Sequence, residues 1–370
     1  MAGGDQMHLG IDLGTSSVKA VLTDGEKIIR DKEKYSGDHT LYLHPAAMVE
    51  DAVQKLVKRL TEKTQQPIAG LAIGGHGPSL IFVGNCGEPL TQIVTWQDKQ
   101  AHREAAELRN VIKGFTRDAT SYEAKILWHY RQYPELFASG NSVLYPKDYL
   151  VFLLTGQRIM DHSTASTIGF YDEYAQNWSD SNLGFGTEIF PDVIESTGKA
   201  GVTGTAFSRS CGLPDGTDVY GGGIDAYCES LGAGAVNPGD TVDGTGTSTC
   251  LSVCRRLTES GDRHVLPDRR LEMRTISYSG GSVRWLKNLS YEIRENLKTP
   301  NWPDRPSGLV FLPYLTGERS PIWDEQARGV FFGLDSETGI LRMGQAVLEG
   351  VGYADRKSTR LNSSHTVISY

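Results

Sequence analysis

A turn built of small residues occurs twice in this chain, and the distance between the copies limits the architectures open to it. The first copy lies in "HLGIDLGTSSVKAVLTDGEKIIRD", His8 to Asp31, and the second in "TVDGTGTSTCLSVC", Thr241 to Cys254. Gly14-Thr15-Ser16-Ser17 matches Gly246-Thr247-Ser248-Thr249, and a strand-like run follows each. More than two hundred residues separate them. That is far too long for a solenoid, so the repeat predicts two related domains, each offering a phosphate-gripping hairpin to a shared cleft.

In the first copy an apolar run ends at Asp12, Val18, Ala20 and Leu22 alternate, and Asp24-Gly25 is a two-residue hairpin signal before Lys27 to Arg30. Gly14 lets a ligand approach the backbone, and the turn amides with the Thr15 and Ser16 hydroxyls can cradle an anion. Asp12 beside an anion requires a cation between them, a demand that Mg²⁺ with a nucleotide phosphate meets. On this segment alone an ordinary hairpin with a polar tip is the simpler account. The second copy shifts the weight toward the phosphate.

Lys plus Arg number 37 against 45 Asp plus Glu, a net charge of −8, which argues against nucleic acid as a partner. No apolar run approaches the roughly 20 residues that span a bilayer. The opening "MAGGDQMHLG" lacks the basic and then apolar order of a secretory signal, so a cytoplasmic protein is expected. Five cysteines, Cys86, Cys211, Cys228, Cys250 and Cys254, fit reduced thiols, and Cys250 with Cys254 reads as strand packing rather than zinc.

Ala46 to Lys63 places Val49, Ala52, Val53, Leu56, Val57 and Leu60 on one helical face, a cover for the core. Ile68 to Ile73 predicts a buried strand that breaks into "GGHGPS", and Asp98 to Arg109 a charged surface helix. Strand, helix and strand in alternation indicate an α/β domain with a partly parallel sheet, whose ligands bind beyond the strand carboxyl ends, where Gly74 to Ser79 falls. From Val219 the chain reads "VYGGGIDAYCESLGAGAVNPGD", a strand entering three glycines with Asp225 at the head of a helix. As a cap Asp225 contributes roughly 1 kcal/mol; as a general base it must face the cleft. Position alone leaves the two readings level.

Eight ordered segments, "GIDLGTSSVKAV", "VTWQDKQ", "YPKDYLVFLLTG", "GGGIDAY", "GTGTSTC", "GGSVRWL", "FLPYLTGERSPIWDEQARGVFFGL" and "AVLEGVGYA", together resemble the FGGY carbohydrate kinases, which include xylulokinases, gluconokinases and glycerol kinases. The similarity covers about Met7 to Asp355. It implies an α/β, two-domain actin-like ATPase (ribonuclease H-like) fold with ATP and Mg²⁺ as cofactors and a small sugar or polyol as substrate; a homodimer is compatible with it. The expected domains are 1–235, for sugar and phosphate, and 236–355, a partial second domain.

By resemblance, Asp12 acts through Mg²⁺, Gly14, Thr15 and Ser16 contact phosphate with Lys19 close behind, and Gly246, Thr247 and Ser248 form the second phosphate loop, approached by Gly280, Ser282 and Arg284. Asp225 matches the family's catalytic aspartate. Trp96 fits a substrate-facing tryptophan, with Gln97 and Asp98 able to bind hydroxyls, although a core role for Trp96 is the competing reading. His76 and Gly77 stand where xylulokinases carry a glutamine, methionine, histidine and glycine, in a loop one residue shorter. The arginine and glutamate pair of glycerol kinases is missing, which disfavours glycerol and favours a xylulose-like ketose. A non-catalytic sugar-binding regulator and another actin-like ATPase are the rival readings; Asp225 after three glycines and the Trp96 loop argue against the latter.

Gly344 to Tyr353 predicts a helix that runs into "DRKSTRLNSSHTVISY", where no apolar face survives. Residues 356–370 resemble a read-through tail and are expected to lie outside the fold. The family continues beyond this helix with a glycine-rich adenosine-binding segment that has no counterpart here. The expectation is therefore a second domain without sheet-covering helices, exposed apolar surface, and impaired kinase activity.

Overall fold

The computed structural model describes residues 6–112, 115, 117–179, 184–298, 302–319, 322, 324, 326–359 and 366–369. The chain divides into two units: Met1–Glu229 with Asp262–Asp268, and Ser230–Gly261 with Arg269–Tyr370. The division thus falls earlier than the sequence suggests, and the first unit reclaims a short segment from beyond it. Among the described residues no helix is long and apolar enough to cross a membrane.

The first unit is built on a six-stranded sheet. Its strands are Met7–Leu13 (β1), Ser17–Thr23 (β2), Ile28–Lys34 (β3), Ile68–Gly75 (β4), Lys199–Val202 (β5) and Asp218–Ile224 (β6), in the order β5-β6-β4-β1-β2-β3. The pairs β1–β4 and β4–β6 are parallel; the rest are antiparallel. β3 closes the sheet with "IIRDKEK", whose alternating charges discourage pairing with another chain.

Helix Ala46–Thr61 (α1) begins at Pro45 without a side-chain cap, so its stability comes from the face it buries. Val49, Val53, Leu56 and Leu60 are buried against β2 and β3, each contributing roughly 1.5–3 kcal/mol. The charged helix starts later than its sequence suggests, at His102–Val111 (α2). Tyr122–Gln132 (α3) follows, and Pro146–Thr155 (α4) packs on β4, β5 and β6.

Three glycines break the β4–β6 pairing, whose register shifts between Tyr220 and Gly223. Gly222 has φ +70° and lies so close to β4 that a Cβ there would stand 2.0 Å from the Ile73 oxygen. This is the bulge from which Asp225–Gly232 (α5) departs. Register then places Asp12 of β1 opposite Gly74 of β4, and Gly74 opposite Gly223 of β6.

The second unit repeats this hairpin. Thr241–Thr245 (β7) and Thr249–Arg256 (β8) pair antiparallel, Arg269–Ile276 (β9) joins β8 antiparallel, and Thr366–Ser369 (β10) joins β7 in parallel. The order β10-β7-β8-β9 reproduces β4-β1-β2-β3. Two expectations change here. The tail excluded on composition supplies the parallel strand, although its residues 360–365 and 370 lie outside the described residues, as do Ser320, Pro321, Trp323 and Glu325 of the long motif. Covering helices are also present: Ser279–Leu289 (α6), Tyr291–Lys298 (α7) and Ile340–Thr359 (α8). They bury Leu286, Ile293, Ala346 and Val347 with Leu309 and Phe311, because α8 starts four residues earlier than the apolar run alone suggests and so reaches β8 and β9.

Gly222→Ala is expected to cost on the order of 3 kcal/mol or more, because the new Cβ meets backbone that cannot turn aside. Thermal unfolding of the two proteins measures this.

Candidate active site

The first turn is closed from two sides. The Gly14 amide donates to the Ser17 oxygen at 3.1 Å, and the Tyr35 hydroxyl donates to the Gly14 oxygen at 2.9 Å. Thr15 and Ser16 form the tip. Asp12, one strand position before the turn, faces Lys19 in the hairpin register, with Nζ 3.4 Å from Oδ2. An exposed pair of this kind contributes at most about 1 kcal/mol, so the fold does not depend on it.

Asp225 heads α5, and its Oδ1 accepts from the Ala226 amide at 2.8 Å. A helix cap serves the amides two or three residues on, so this bond is not a capping bond. Burial pushes the Asp225 carboxyl up to about 6; the Asp12 and Glu229 carboxylates add to the rise, while the Ala226 amide and Lys19 oppose it. Glu229 stands one turn along the same helix face, with Oε1 buried and unbonded, and burial and Asp12 raise it too. Nothing in the motif reading singled out Glu229; its spacing of four from Asp225 is the signal that would have found it. Cys228 packs against Gly74 and Gly223, and burial pushes its thiol up to about 12, so it is a filler rather than a nucleophile.

A buried ionic network holds the bulge beneath Asp225. The Gly221 amide donates to the Gly198 oxygen at 3.0 Å, and the Gly222 amide to the Ser196 oxygen at 2.9 Å. Ser196 Oγ donates to Asp161 at 2.8 Å; Asp161 also accepts from Ser163 Oγ, from the Thr164 amide at 2.9 Å and from Thr164 Oγ1 at 2.5 Å. Lys147 Nζ, 2.6 Å from Asp161, also contacts Asp148. Burial alone would raise the Asp161 carboxyl; Lys147 and the donors outweigh it and hold it below the usual range, while burial pushes Asp148 up to about 7. Sequence reading missed this network because its members lie on four segments with no shared spacing.

The sugar-side residues part company. His76 follows the end of β4: its amide donates to the Leu13 oxygen at 3.0 Å, and Nδ1 lies 2.7 Å from Ser79 Oγ. Burial drives the imidazole down to about 3, so it is neutral at any working pH. A Cβ on Gly77 would lie 2.7 Å from the Tyr145 ring, so packing alone accounts for that glycine. Trp96 is half-buried, and Gln97 Oε1 is buried without a hydrogen bond. Asp98, 5% exposed, accepts from the Gln100 amide and side chain at 3.2 and 2.7 Å. It lines a cavity of about 380 Å³ with Trp128, His129 and Tyr133, whose lining excludes His76, Trp96 and Asp225.

In the second unit the predicted loop comes together. The Gly246 amide donates to the Ser248 oxygen at 2.8 Å, and the Gly281 amide to the Thr247 oxygen at 2.9 Å. A Cβ on Gly280 would stand 2.0 Å from the Gly246 oxygen, so only glycine lets α6 start against the loop. Arg284 Nη2 donates to Thr247 Oγ1 at 3.3 Å. Exposed amides and hydroxyls at a helix start, with a guanidinium alongside, suit a phosphate.

The family model for the N-terminal domain of FGGY carbohydrate kinases matches residues 7–232, and that for the C-terminal domain matches residues 244–360. The chain belongs to the FGGY family of carbohydrate kinases. This FGGY kinase is 29% identical to a xylulose kinase of Staphylococcus epidermidis, over 94% of its own length and 75% of the relative's. It is 30% identical to a xylulose kinase of Escherichia coli, over 94% and 77%. A solved structure described as a xyloylose kinase from Brucella ovis superposes with a TM-score of 0.86 at 27% identity, covering 98% of this chain and 82% of that one. The FGGY chain therefore has the two-domain actin-like ATPase fold, and its chemistry is ATP-dependent phosphorylation of a sugar.

The donors of the first unit suit Mg²⁺. Among the described residues no three His, Cys, Asp or Glu side chains could jointly hold a metal ion. Mg²⁺ asks for less, one or two carboxylates with water and phosphate oxygens completing the octahedron, and Asp12 with the unbonded Glu229 oxygen meets that need.

Lys147→Met should destabilise this FGGY kinase by roughly 3–5 kcal/mol, because it leaves the buried Asp161 carboxylate without its cation. Chemical denaturation at neutral pH measures the loss, and Lys147→Met combined with Asp161→Asn should recover part of it.

Proposed function

We propose that this kinase transfers the γ-phosphoryl group of ATP to a hydroxyl of a xylulose-like ketose, with Asp225 as general base. The observation that carries the reading is the position of Asp225: just past the end of a parallel strand and two residues after Gly223, which is in register across Gly74 with Asp12. The name shared by seven relatives at 26–30% identity, xylulose kinase, supports the ketose over the aldonate of the gluconokinase relative at 26%.

In the proposed reaction the sugar O–H bond breaks as its oxygen bonds to the γ-phosphorus, the proton passes to an Asp225 oxygen, and the bond to the ADP oxygen breaks. Phosphoryl transfer needs little covalent help, so positioning by turn amides such as those of Thr15 and Ser16 supplies most of the catalysis. Mg²⁺, held through Asp12 and Glu229, supplies charge neutralisation on the phosphates when bound. His76, locked neutral, offers a hydrogen bond to a sugar hydroxyl without adding charge, and Trp96 offers an apolar wall.

Asp225→Asn should lower kcat by roughly 10²–10⁴ while leaving the sugar KM within a few fold, measured by ADP release coupled to sugar addition. Because the base works ionised and its carboxyl sits at about 6 in the ligand-free protein, kcat/KM should fall as the pH drops below about 6. Glu229→Gln removes a neighbouring negative charge, so the limb should move to lower pH. In a panel of pentuloses, hexuloses, aldonates and polyols, a pentulose should be the best substrate; ADP release that no sugar stimulates would reject the reading.

Turnover by the 370-residue chain is proposed to be weak. Tyr291, Val310, Phe332 and Leu334 are exposed on the second unit, and apolar surface of that kind favours self-association. Light scattering should show concentration-dependent aggregation, and robust turnover by a monodisperse preparation would remove this part of the proposal.

A further inference from the structure

We infer that Lys125 is a positioning residue for the sugar pocket, whose ammonium clamps the loop bearing His76 to the loop bearing Trp96. The inference rests on the reading of those loops as the sugar-binding side of the site. Lys125 lies on α3, 1% exposed, and its Nζ donates to the Pro78 oxygen at 2.9 Å and to the Thr95 oxygen at 2.8 Å. These carbonyls sit two residues after His76 and one before Trp96.

The chain needs a donor at this point for a definite reason. Leu80 and Val94 exchange both backbone hydrogen bonds, at 2.9 and 2.8 Å, as an isolated antiparallel bridge. The next pair outward would be Pro78 with Trp96. Proline has no N–H to give, so that pair cannot exchange both backbone bonds and the pairing of the two loops is not extended by one. Lys125 supplies that missing link from a third element. Its own helix is fixed in turn: Ser121 caps it by accepting from the Ala124 amide at 3.3 Å, and the Lys125 oxygen bonds His129 Nδ1 at 2.7 Å.

The clamp also reaches the catalytic side. Thr95 O accepts from the Asp98 amide at 3.1 Å as well as from Lys125, which fixes the turn around Trp96 and Gln97. At the other loop the His76 amide is bound to Leu13, the residue after Asp12. One ammonium thus joins the backbone two residues after His76 to that one residue before Trp96. Burying that ammonium carries a desolvation cost that a purely apolar side chain at this helix position would avoid.

The test uses Lys125→Met and Lys125→Gln in the 370-residue chain, with melting temperature, kcat, sugar KM and ATP KM measured, and with calorimetric ketose binding in the absence of ATP. Lys125→Met should raise the sugar KM and the ketose Kd roughly ten-fold or more while the ATP KM stays within about two-fold. Lys125→Gln retains two N–H donors and should show a smaller rise. A purely structural role would move both KM values together or neither. Equal rises in the two KM values, an unchanged ketose Kd in a folded variant, or failure of both variants to fold would overturn the inference. A wild-type chain that neither binds nor phosphorylates any sugar instead rejects the underlying reading, and the clamp with it.

Discussion

The closeness of two backbones decides the geometry of this site. β6 runs against β4 with no room for a side chain at Gly222, and the resulting shift in register is what turns the chain out of the sheet toward Asp225. Such a bulge cannot be maintained by apolar packing alone, since its amides have left the ladder. Ser196 and Gly198 accept them instead, and Ser196 is fixed by Asp161, which is fixed by Lys147. A fully buried ion pair is an expensive way to add stability. Its presence here makes sense as a means of specifying one backbone path where the chain leaves the sheet for the helix that Asp225 heads.

Electrostatics divides the first unit into two kinds of environment. Around Asp225 burial raises the carboxyl's proton affinity, and the Asp12 and Glu229 carboxylates add to the rise. Around His76 burial does the opposite to a base, removing its proton and leaving a neutral hydrogen-bonding ring. Both are consequences of desolvation, which always disfavours the charged form. The raised carboxyl and the neutral ring lie past the ends of different strands, Asp225 after β6 and His76 after β4.

Duplication is visible at the level of strand order as well as of motif. Each unit has a hairpin with a small-residue turn, an antiparallel strand on one side and a parallel strand on the other. In the first unit the parallel strand comes from the apolar run Ile68–Gly75; in the second it comes from Thr366–Ser369, in a stretch whose composition reads as solvated tail. Four residues of strand need only backbone partners to pair, so composition carries little information about them. The covering helices of the second unit escaped the sequence reading for a related reason: α8 owes its place to Phe311 and Leu309, residues far from it in the chain.

The sequence by itself determined the hairpins with their small-residue turns, α1, the glycine run and the place of Asp225 at a helix start, because each is encoded by local spacing or by residue types that few other structures require. Tertiary structure alone decided the company those residues keep. It placed Glu229 beside Asp225, brought Lys147 to Asp161 and Lys125 to two carbonyls, and turned Asp98 toward a cavity of its own. Long-range contacts of this kind depend on which segments the sheet order brings together, and no periodicity within one segment records that.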